Sequence, residues 1–424
     1  MGKGGFAVRK TTAALALAGA MILLLAGCGG TASEGTDLTA DVSGSGGEAV
    51  YASAAEVPAA DTAALTDFGL DLLRQCAGEG NVLLSPASVL SALGMTANGA
   101  GGQTLAQFEE AFGLPLEELN AALSAALPED DGILACANAI WFNSRNGLEV
   151  DRSFLQTNAD WYGAGLFSVP FGSDTPKEIN QWVSEHTRGM IPSILDQVQE
   201  NAVMYLVNAL AFDGEWVKPF DSCATMQGTF TREDGTEETA DFMHGEEYAY
   251  LEGEKVTGFL KSYRDGSYAF AALLPGEGVT VAEALDSLSG GAVGTMLDSV
   301  SSQEVIIALP KFTVDYDAGL EDVLPALGIV DAFDPSSADF SGIGTAADGG
   351  PSLFISRVLH KTHLSVDELG TEAAAATVVE MTEGAMELEE PPKQVILDRP
   401  FLYMLVDLDS GLPLFLGTVM TVED

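Results

Sequence analysis

Hydrophobic and polar positions alternate along the chain with two different periods. Leu65–Leu73 has apolar residues at helical spacing, and Pro86 stands where a helix would begin. Val203–Phe212 is apolar on both faces, as in a central strand. From residue 229 to 274 the residues alternate around an Asp234–Gly235 turn, which predicts a sheet rich in hairpins. The pattern therefore predicts an α+β fold.

One segment near the C-terminus, Thr371–Met381, fits two structures. Four consecutive alanines at 373–376 suit a helix, whereas the β-branched residues 377–379 favour a strand. With a period of two, small or uncharged residues fall on one face, and Glu372 and Glu380 fall on the other. The local pattern is consistent with a short surface helix capped by its first threonine, and equally with a strand that has one buried face.

The N-terminus has the pattern of a secretory signal over residues 1–27. Three basic residues precede an apolar run, Thr11–Leu25, that is short for a membrane span. Leu25–Cys28 resembles a bacterial lipobox, in which cleavage before Cys28 leaves a lipidated cysteine. A plain signal peptide with an incidental cysteine is the alternative. We expect an extracellular protein anchored to the cell membrane by a lipidated Cys28.

Composition divides the remainder of the chain into two parts. Residues 28–58 are rich in Gly, Ser, Thr, Ala and acids, which predicts a flexible tether. Residues 59–424 contain no second linker and no internal repeat, so we expect one large domain. The 63 acidic and 18 basic residues give a net charge of -45, which argues against nucleic acid or anionic lipid as a partner.

The residues that most often serve catalysis or metal binding are sparse. No nucleophile elbow, zinc-binding helix motif or phosphate-binding glycine loop is present, and we expect neither an enzyme nor a cofactor. His360 and His363 would lie on opposite faces of a strand, which disfavours a metal site. After Cys28 only three cysteines follow, so no disulfide framework is expected, and all three are predicted to be buried.

The run Glu368–Thr377 resembles the hinge of the reactive-centre loop of inhibitory serpins. Further motifs, in the family's order, cover nearly the whole chain from about residue 60 to the end. They are Asn81–Met95, Asn98–Gln107, Asn138–Phe142, Ile179–Val183, Gly214–Phe220, Val305–Phe312, Ala332–Ile343, Ile355–Lys361, Arg399–Tyr403 and Pro413–Gly417. The resemblance implies a serpin fold with three β-sheets, about eight to nine helices and an exposed reactive-centre loop at about residues 368–394.

The resemblance also implies a mechanism, suicide inhibition of a serine protease by a monomer. A protease would cleave the loop, and the loop would then insert as a new central strand while the enzyme is still attached. The implied hinge residues are Glu368, Gly370, Thr371, Glu372, Ala373, Ala374, Ala375, Ala376 and Thr377. A serpin that serves as a carrier or binding protein is the alternative, but such members usually have bulky or charged residues in the hinge.

The resemblance places the scissile bond at Gly384–Ala385, although the long segment that follows leaves the register open. Small residues there suit elastase-like proteases. Alternative registers involve Glu383, Met386 and Glu387. No Arg or Lys lies between Leu369 and Glu390, which disfavours trypsin-like targets.

By the same resemblance, Ser85, Ser88, Asn208 and His360 correspond to a polar cluster under the middle of the main sheet, where strands part. Trp216 corresponds to a tryptophan at the point where the loop first enters the sheet. The role that this implies is control of sheet opening. A buried polar cluster without a special role is the alternative.

Overall fold

The computed structural model describes residues 35–42, 50–51, 53–128, 130–199, 202–346, 353–371 and 391–423. Within these ranges ten α-helices are present, two of them only four residues long, and the other eight agree with the expected number. The helices are α1 (Thr39–Val42), α2 (Ala59–Cys76), α3 (Pro86–Ala97), α4 (Gly102–Phe112), α5 (Leu116–Ala126), α6 (Arg152–Tyr162), α7 (Thr175–His186), α8 (Val281–Asp286), α9 (Gly290–Asp298) and α10 (Val323–Ala326).

The described ranges also contain twenty strands. They are β1 (Thr36–Asp37), β2 (Val82–Leu84), β3 (Leu134–Asn143), β4 (Leu148–Val150), β5 (Gly165–Val169), β6 (Met204–Phe212), β7 (Gly214–Glu215), β8 (Thr225–Thr231), β9 (Glu237–Glu247), β10 (Tyr250–Glu252), β11 (Val256–Ser262), β12 (Tyr268–Pro275), β13 (Val305–Pro310), β14 (Phe312–Gly319), β15 (Gly344–Ala346), β16 (Leu359–Val366), β17 (Gly370–Thr371), β18 (Lys393–Ile396), β19 (Phe401–Asp407) and β20 (Pro413–Val419).

The described strands form five hydrogen-bonded sheets rather than the three expected. Two sheets of four strands, with the orders β1-β5-β3-β6 and β14-β16-β17-β7, lie on either side of a gap between β6 and β16. A six-stranded sheet has the order β10-β11-β12-β19-β20-β2, and a further four-stranded sheet has the order β18-β13-β9-β8. The fifth is the pair β15-β4.

The two sheets that flank the gap are joined at one end. The chain passes from β6 through Asp213 into β7, and β17 hydrogen-bonds to both β7 and β16. In the described residues no ladder of hydrogen bonds joins β6 to β16. The prediction that Val203–Phe212 is a central strand is therefore wrong for this state. The strand is apolar on both faces, yet it has a strand partner, β3, on one side only.

Local sequence signals account for several of the helices. Ser85 caps α3 by accepting from the N–H of Ser88, and Pro86 occupies the first helical position, as predicted. Helix α2 extends the predicted Leu65–Leu73 helix in both directions. Helix α10 is only one turn long, because Leu327 already leaves helical geometry before Gly328, which has a φ of 98°.

The N-terminal segment corrects the prediction of a tether over residues 28–58. Strand β1 pairs with β5, Thr36 opposite Ser168, and covers what would otherwise be the edge of that sheet. Val42 is buried, and the carbonyl of Asp41 accepts a hydrogen bond from Arg152. The prediction of flexibility is therefore wrong for residues 36–42. The segment is so rich in small and acidic residues that its few apolar residues, which pack on the domain, gave no recognisable pattern.

The cysteines were only partly predicted. Cys136 is buried and Cys76 is half-buried, but Cys223 is exposed at a 3-10 turn, so the expectation of three buried cysteines is wrong. Across the ranges that the structure describes, no helix is both long and apolar enough to cross a bilayer.

Candidate functional site

The segment predicted to be the hinge begins at one end of the gap, in a structure that we call the entry: Asp367–Thr371, Gly214–Phe220 and Tyr263. The Oδ1 atom of Asp367 accepts from the N–H groups of Leu369 (2.8 Å) and Gly370 (3.1 Å), which turns the chain from β16 into β17. Gly370 then pairs with Glu215, and Thr371 pairs with Gly214. A Cβ atom on Gly370 would lie 2.0 Å from the carbonyl oxygen of Gly214, so this approach requires glycine.

Thr371 is fully buried in the entry. Its Oγ1 atom lies 2.6 Å from the hydroxyl of Tyr263, whose pKa is raised by burial. The Tyr263 ring stacks on Trp216 with the centroids 4.4 Å apart. Trp216 in turn donates from its indole Nε1 to the carbonyl of Asp367 (3.0 Å) and from its backbone N–H to the carbonyl of Leu369 (2.8 Å). The side chain of Thr371 is thus already buried in the sheet at the end of the gap.

Glu368 fixes the same turn from the other side. Its carboxylate lies 2.8 Å from Lys311 Nζ and accepts from the hydroxyl of Thr225 at 2.9 Å. Its carbonyl accepts from the N–H of Phe220 at 2.8 Å. Burial alone would raise the pKa of Glu368, but the hydrogen bonds, first that of Lys311, outweigh burial and lower it. Glu368 is therefore ionised at neutral pH and holds the turn through a charge-assisted hydrogen bond.

Below the entry, the gap contains a cavity of about 390 Å³. One wall is formed by residues 202–208, and the other by residues 353–358 and His360, with α3 beneath. Ser88, Asn208 and His360 all line this cavity. Among the described strands none lies between β6 and β16, so a strand added here could hydrogen-bond to both of them.

A chain of polar side chains crosses the floor of the gap. The hydroxyl of Ser88 donates to the Oδ1 atom of Asn208, and Asn208 Nδ2 donates to Asn138 Oδ1 at 2.6 Å. Asn138 Nδ2 donates in turn to the carbonyl of Tyr162 at 3.0 Å. Asn138 was missed by the sequence analysis. A single polar residue within the apolar run 134–142 of β3, opposite Asn208 in register, is the signal that could have revealed it.

His360 is buried and neutral in this site. Its Nε2 atom accepts from the backbone N–H of Ser85 at 3.1 Å, so the proton resides on Nδ1. The hydroxyl of Ser85 donates to the carbonyl of Leu414 at 2.9 Å. Burial lowers the pKa of His360 to about 4. His363 lies on the other face of the strand, where it pairs with Asp315 at 2.7 Å.

The structure divides the residues predicted from sequence into three groups. Ser85, Ser88, Asn208 and His360 form one polar cluster, whereas Trp216 lies with the hinge at the entry. Glu368, Gly370 and Thr371, the described part of the predicted hinge, lie at the turn into β17 and in β17 itself. The other predicted residues lie outside the described residues: Cys28, Glu372, Ala373, Ala374, Ala375, Ala376, Thr377, Glu383, Gly384, Ala385, Met386 and Glu387. In the described ranges no group of three His, Cys, Asp or Glu side chains could hold a metal ion.

Comparison with known proteins agrees with this architecture. A family model described as "Serpin (serine protease inhibitor)" matches residues 63–422. The human leukocyte elastase inhibitor is 32% identical over 379 residues, which cover 84% of this chain and 98% of that protein. The chain belongs to the serpin family. Serpins are inhibitors that target serine proteases, and they are not enzymes.

Solved structures give the same fold. The native state of the thermophilic serpin tengpin has a TM-score of 0.83 and 36% identity, and the match covers 91% of this chain and 99% of that one. Human thyroxine-binding globulin, solved in complex with its hormone, has a TM-score of 0.74 and 26% identity over 86% of this chain and 99% of that one. The α+β serpin fold predicted from sequence is thereby confirmed.

Proposed function

We propose that this serpin is an extracellular suicide-substrate inhibitor of an elastase-like serine protease. The observation that best supports this function is that Thr371 is already buried at the top of a gap in which, among the described strands, none lies between β6 and β16. A loop cleaved beyond the hinge has only to extend β17 downward to form a complete strand between β6 and β16. The uncharged face of residues 371–381 suits the buried side of such a strand.

Insertion has to compete with hydrolysis of the acyl-enzyme. The protease is trapped only if the loop, still attached to the enzyme, enters the sheet before water releases it. The entry should favour rapid insertion of the loop, because its hydrogen bonds already set the register of Gly370 and Thr371 against β7. The preference for elastase-like targets is supported by the small residues Gly384 and Ala385 and by the absence of Arg and Lys between Leu369 and Glu390.

The experiment that tests this function is incubation with neutrophil or pancreatic elastase, followed by denaturing gel electrophoresis. We expect a complex of inhibitor and protease that resists SDS. Trypsin, and elastase with a chemically blocked active-site serine, serve as controls and should give no complex. Cleavage of the loop by active elastase without a complex would contradict inhibition.

A second proposal concerns location. Leu25, Ala26 and Gly27 precede Cys28 as in a lipobox, and we propose that lipidation of Cys28 anchors the inhibitor at the outer face of the cell membrane. Cys28→Ala should release the protein from the membrane fraction or block its maturation. Correctly processed mutant that stays with the membrane would contradict the anchor.

A carrier function is the other candidate, and the cavity of about 390 Å³ together with the similarity to thyroxine-binding globulin favours it. Thyroxine is a suitable probe for this possibility. If calorimetry shows that thyroxine binds, and if no complex forms with elastase, the carrier function is favoured over the inhibitory function.

A further inference from the structure

A lysine is buried beneath the entry, at a strand position that predicts an apolar residue. The side chain of Lys261, next to last in β11, is only 3% exposed. Phe259 and Tyr263, two residues before and after it on the same face, are fully buried. Lysine is among the residues that are least often buried. Its presence here therefore needs a physical reason.

The ammonium group of Lys261 is held by three kinds of contact. Nζ lies 2.6 Å from the carboxylate of Glu247 and donates to the carbonyl of Lys218 at 2.8 Å. It also lies 4.2 Å from the ring centroid of Phe220 and 5.5 Å from that of Trp216. Both distances are in the range of a cation–π interaction. Burial lowers the pKa of Lys261, and the carboxylate of Glu247 opposes this shift.

The two aromatic residues under the ammonium group are also the residues that hold the hinge. The N–H of Phe220 donates to the carbonyl of Glu368, and Trp216 donates to the carbonyls of Asp367 and Leu369. Through Tyr263, the Trp216 ring is also linked to Thr371. A continuous series of contacts thus leads from the cation to the first buried residue of the loop.

We propose that Lys261 is a positioning residue for loop insertion, holding the Trp216 and Phe220 rings where they fix the register of the hinge. This inference rests on the inhibitory function proposed above. Stability alone explains the pair poorly, since replacing a buried ion pair by apolar side chains is often neutral or stabilising. A cation that fixes two rings in one arrangement accounts for both its burial and its neighbours.

The test uses the whole domain and three variants. Lys261→Met keeps the length of the side chain and removes the charge, whereas Lys261→Arg keeps the charge. Lys177→Met is the control, because it makes the same change at an exposed lysine of α7, outside the entry and outside both peptides. Hydrogen exchange of peptides covering residues 214–220 and 367–371 reports on positioning. Moles of inhibitor consumed per mole of elastase inactivated report on insertion.

We expect Lys261→Met to exchange at least about tenfold faster in these two peptides, with β12 and β19 unchanged. We also expect the consumption of inhibitor to rise at least threefold. Lys261→Arg should recover part of both effects, and Lys177→Met should match the wild type. Unchanged exchange at the entry, faster exchange spread evenly over the six-stranded sheet, or unchanged consumption would overturn the proposal.

If Lys261→Met does not fold, Glu247→Gln provides the test, because it weakens the hold on the same ammonium group from its partly exposed side. The same two peptides should then exchange faster, and no change there would overturn the proposal. A wild type that forms no complex with elastase would instead refute the proposed function. The exchange measurement needs no protease, so it decides the role of Lys261 in either case.

Discussion

The entry and the gap beneath it are built from different contacts, although the entry closes one end of the gap. The entry is closed by stacked rings, a buried ion pair, the Glu368–Lys311 pair and backbone hydrogen bonds to β17. The gap contains a cavity of about 390 Å³ that is lined mostly by aliphatic side chains, with Ser88, Asn208 and the neutral His360 among its polar groups. The entry thus fixes where an added strand begins, and the gap leaves room for the rest of that strand.

Under the proposed function, this difference explains how the native state can leave room for an added strand and yet not take up the loop before it is cleaved. No described strand lies between β6 and β16, which favours strand addition, and under the proposed function the added strand would start from the end where β17 is already paired. The contacts at the entry and those in the gap should therefore respond differently to substitution. Changes at the entry should alter how insertion starts, whereas changes in the gap should alter the stability of the open sheet.

The largest expected effect follows from Thr371→Arg at the entry. Thr371 is fully buried against Tyr263, and burying an unpaired guanidinium there costs several kcal/mol. Each 1.4 kcal/mol or so slows insertion about tenfold, so hydrolysis of the acyl-enzyme would win. Moles of inhibitor consumed per mole of elastase inactivated should rise at least about tenfold.

Glu372→Arg is the matched control for this substitution. With a period of two, residue 372 belongs to the face opposite Thr371, so its replacement should leave the consumption of inhibitor nearly unchanged. Equal behaviour of the two variants would refute the alternating faces on which the insertion model depends.

The second prediction concerns the gap and depends on pH. His360 has a native pKa of about 4, below its ordinary value of 6.5, so the unfolded chain binds a proton that the native state excludes. Stability from this group is complete above pH 6.5 and is lost as the pH falls toward 4, by about 3 kcal/mol in total.

The contribution of His360 can be isolated by comparing denaturant unfolding of wild type and His360→Gln from pH 7 to pH 4. Titration of the many carboxylates affects both proteins, so the difference between them reports on residue 360. The advantage of wild type over the mutant should shrink as the pH falls. A constant difference would show that His360 is not kept neutral by burial.

The smallest effect is expected for Gly370→Ala. The added Cβ would lie 2.0 Å from the carbonyl oxygen of Gly214, a backbone atom that can move only if β17 and β7 separate. Overpacking of this kind costs about 1–3 kcal/mol, so the melting midpoint should fall by a few degrees. Gly291→Ala, in α9 with open space around the new methyl, is the control and should not lower the midpoint. Equal midpoints for the two variants would show that β17 is not paired as described.

The sequence predicted the main elements of this site better than their arrangement. The cap at Ser85, the apolar β6 and the small-residue hinge all leave local signals, and the order of the family motifs implied the fold. The ion pair of Glu368 with Lys311 and the cation under Trp216 depend on residues more than forty positions apart in sequence, so no periodicity reveals them. The docked segment 36–42 was missed because two paired residues and one buried valine leave almost no hydrophobic pattern.

The central claim is that the gap accepts the cleaved loop as a new strand. The most direct test is the melting midpoint before and after limited cleavage of the loop near Gly384 by elastase. If the loop inserts, the new strand pairs with β6 and β16, and the midpoint should rise by at least about 10 °C. A midpoint that stays the same or falls after cleavage would contradict insertion.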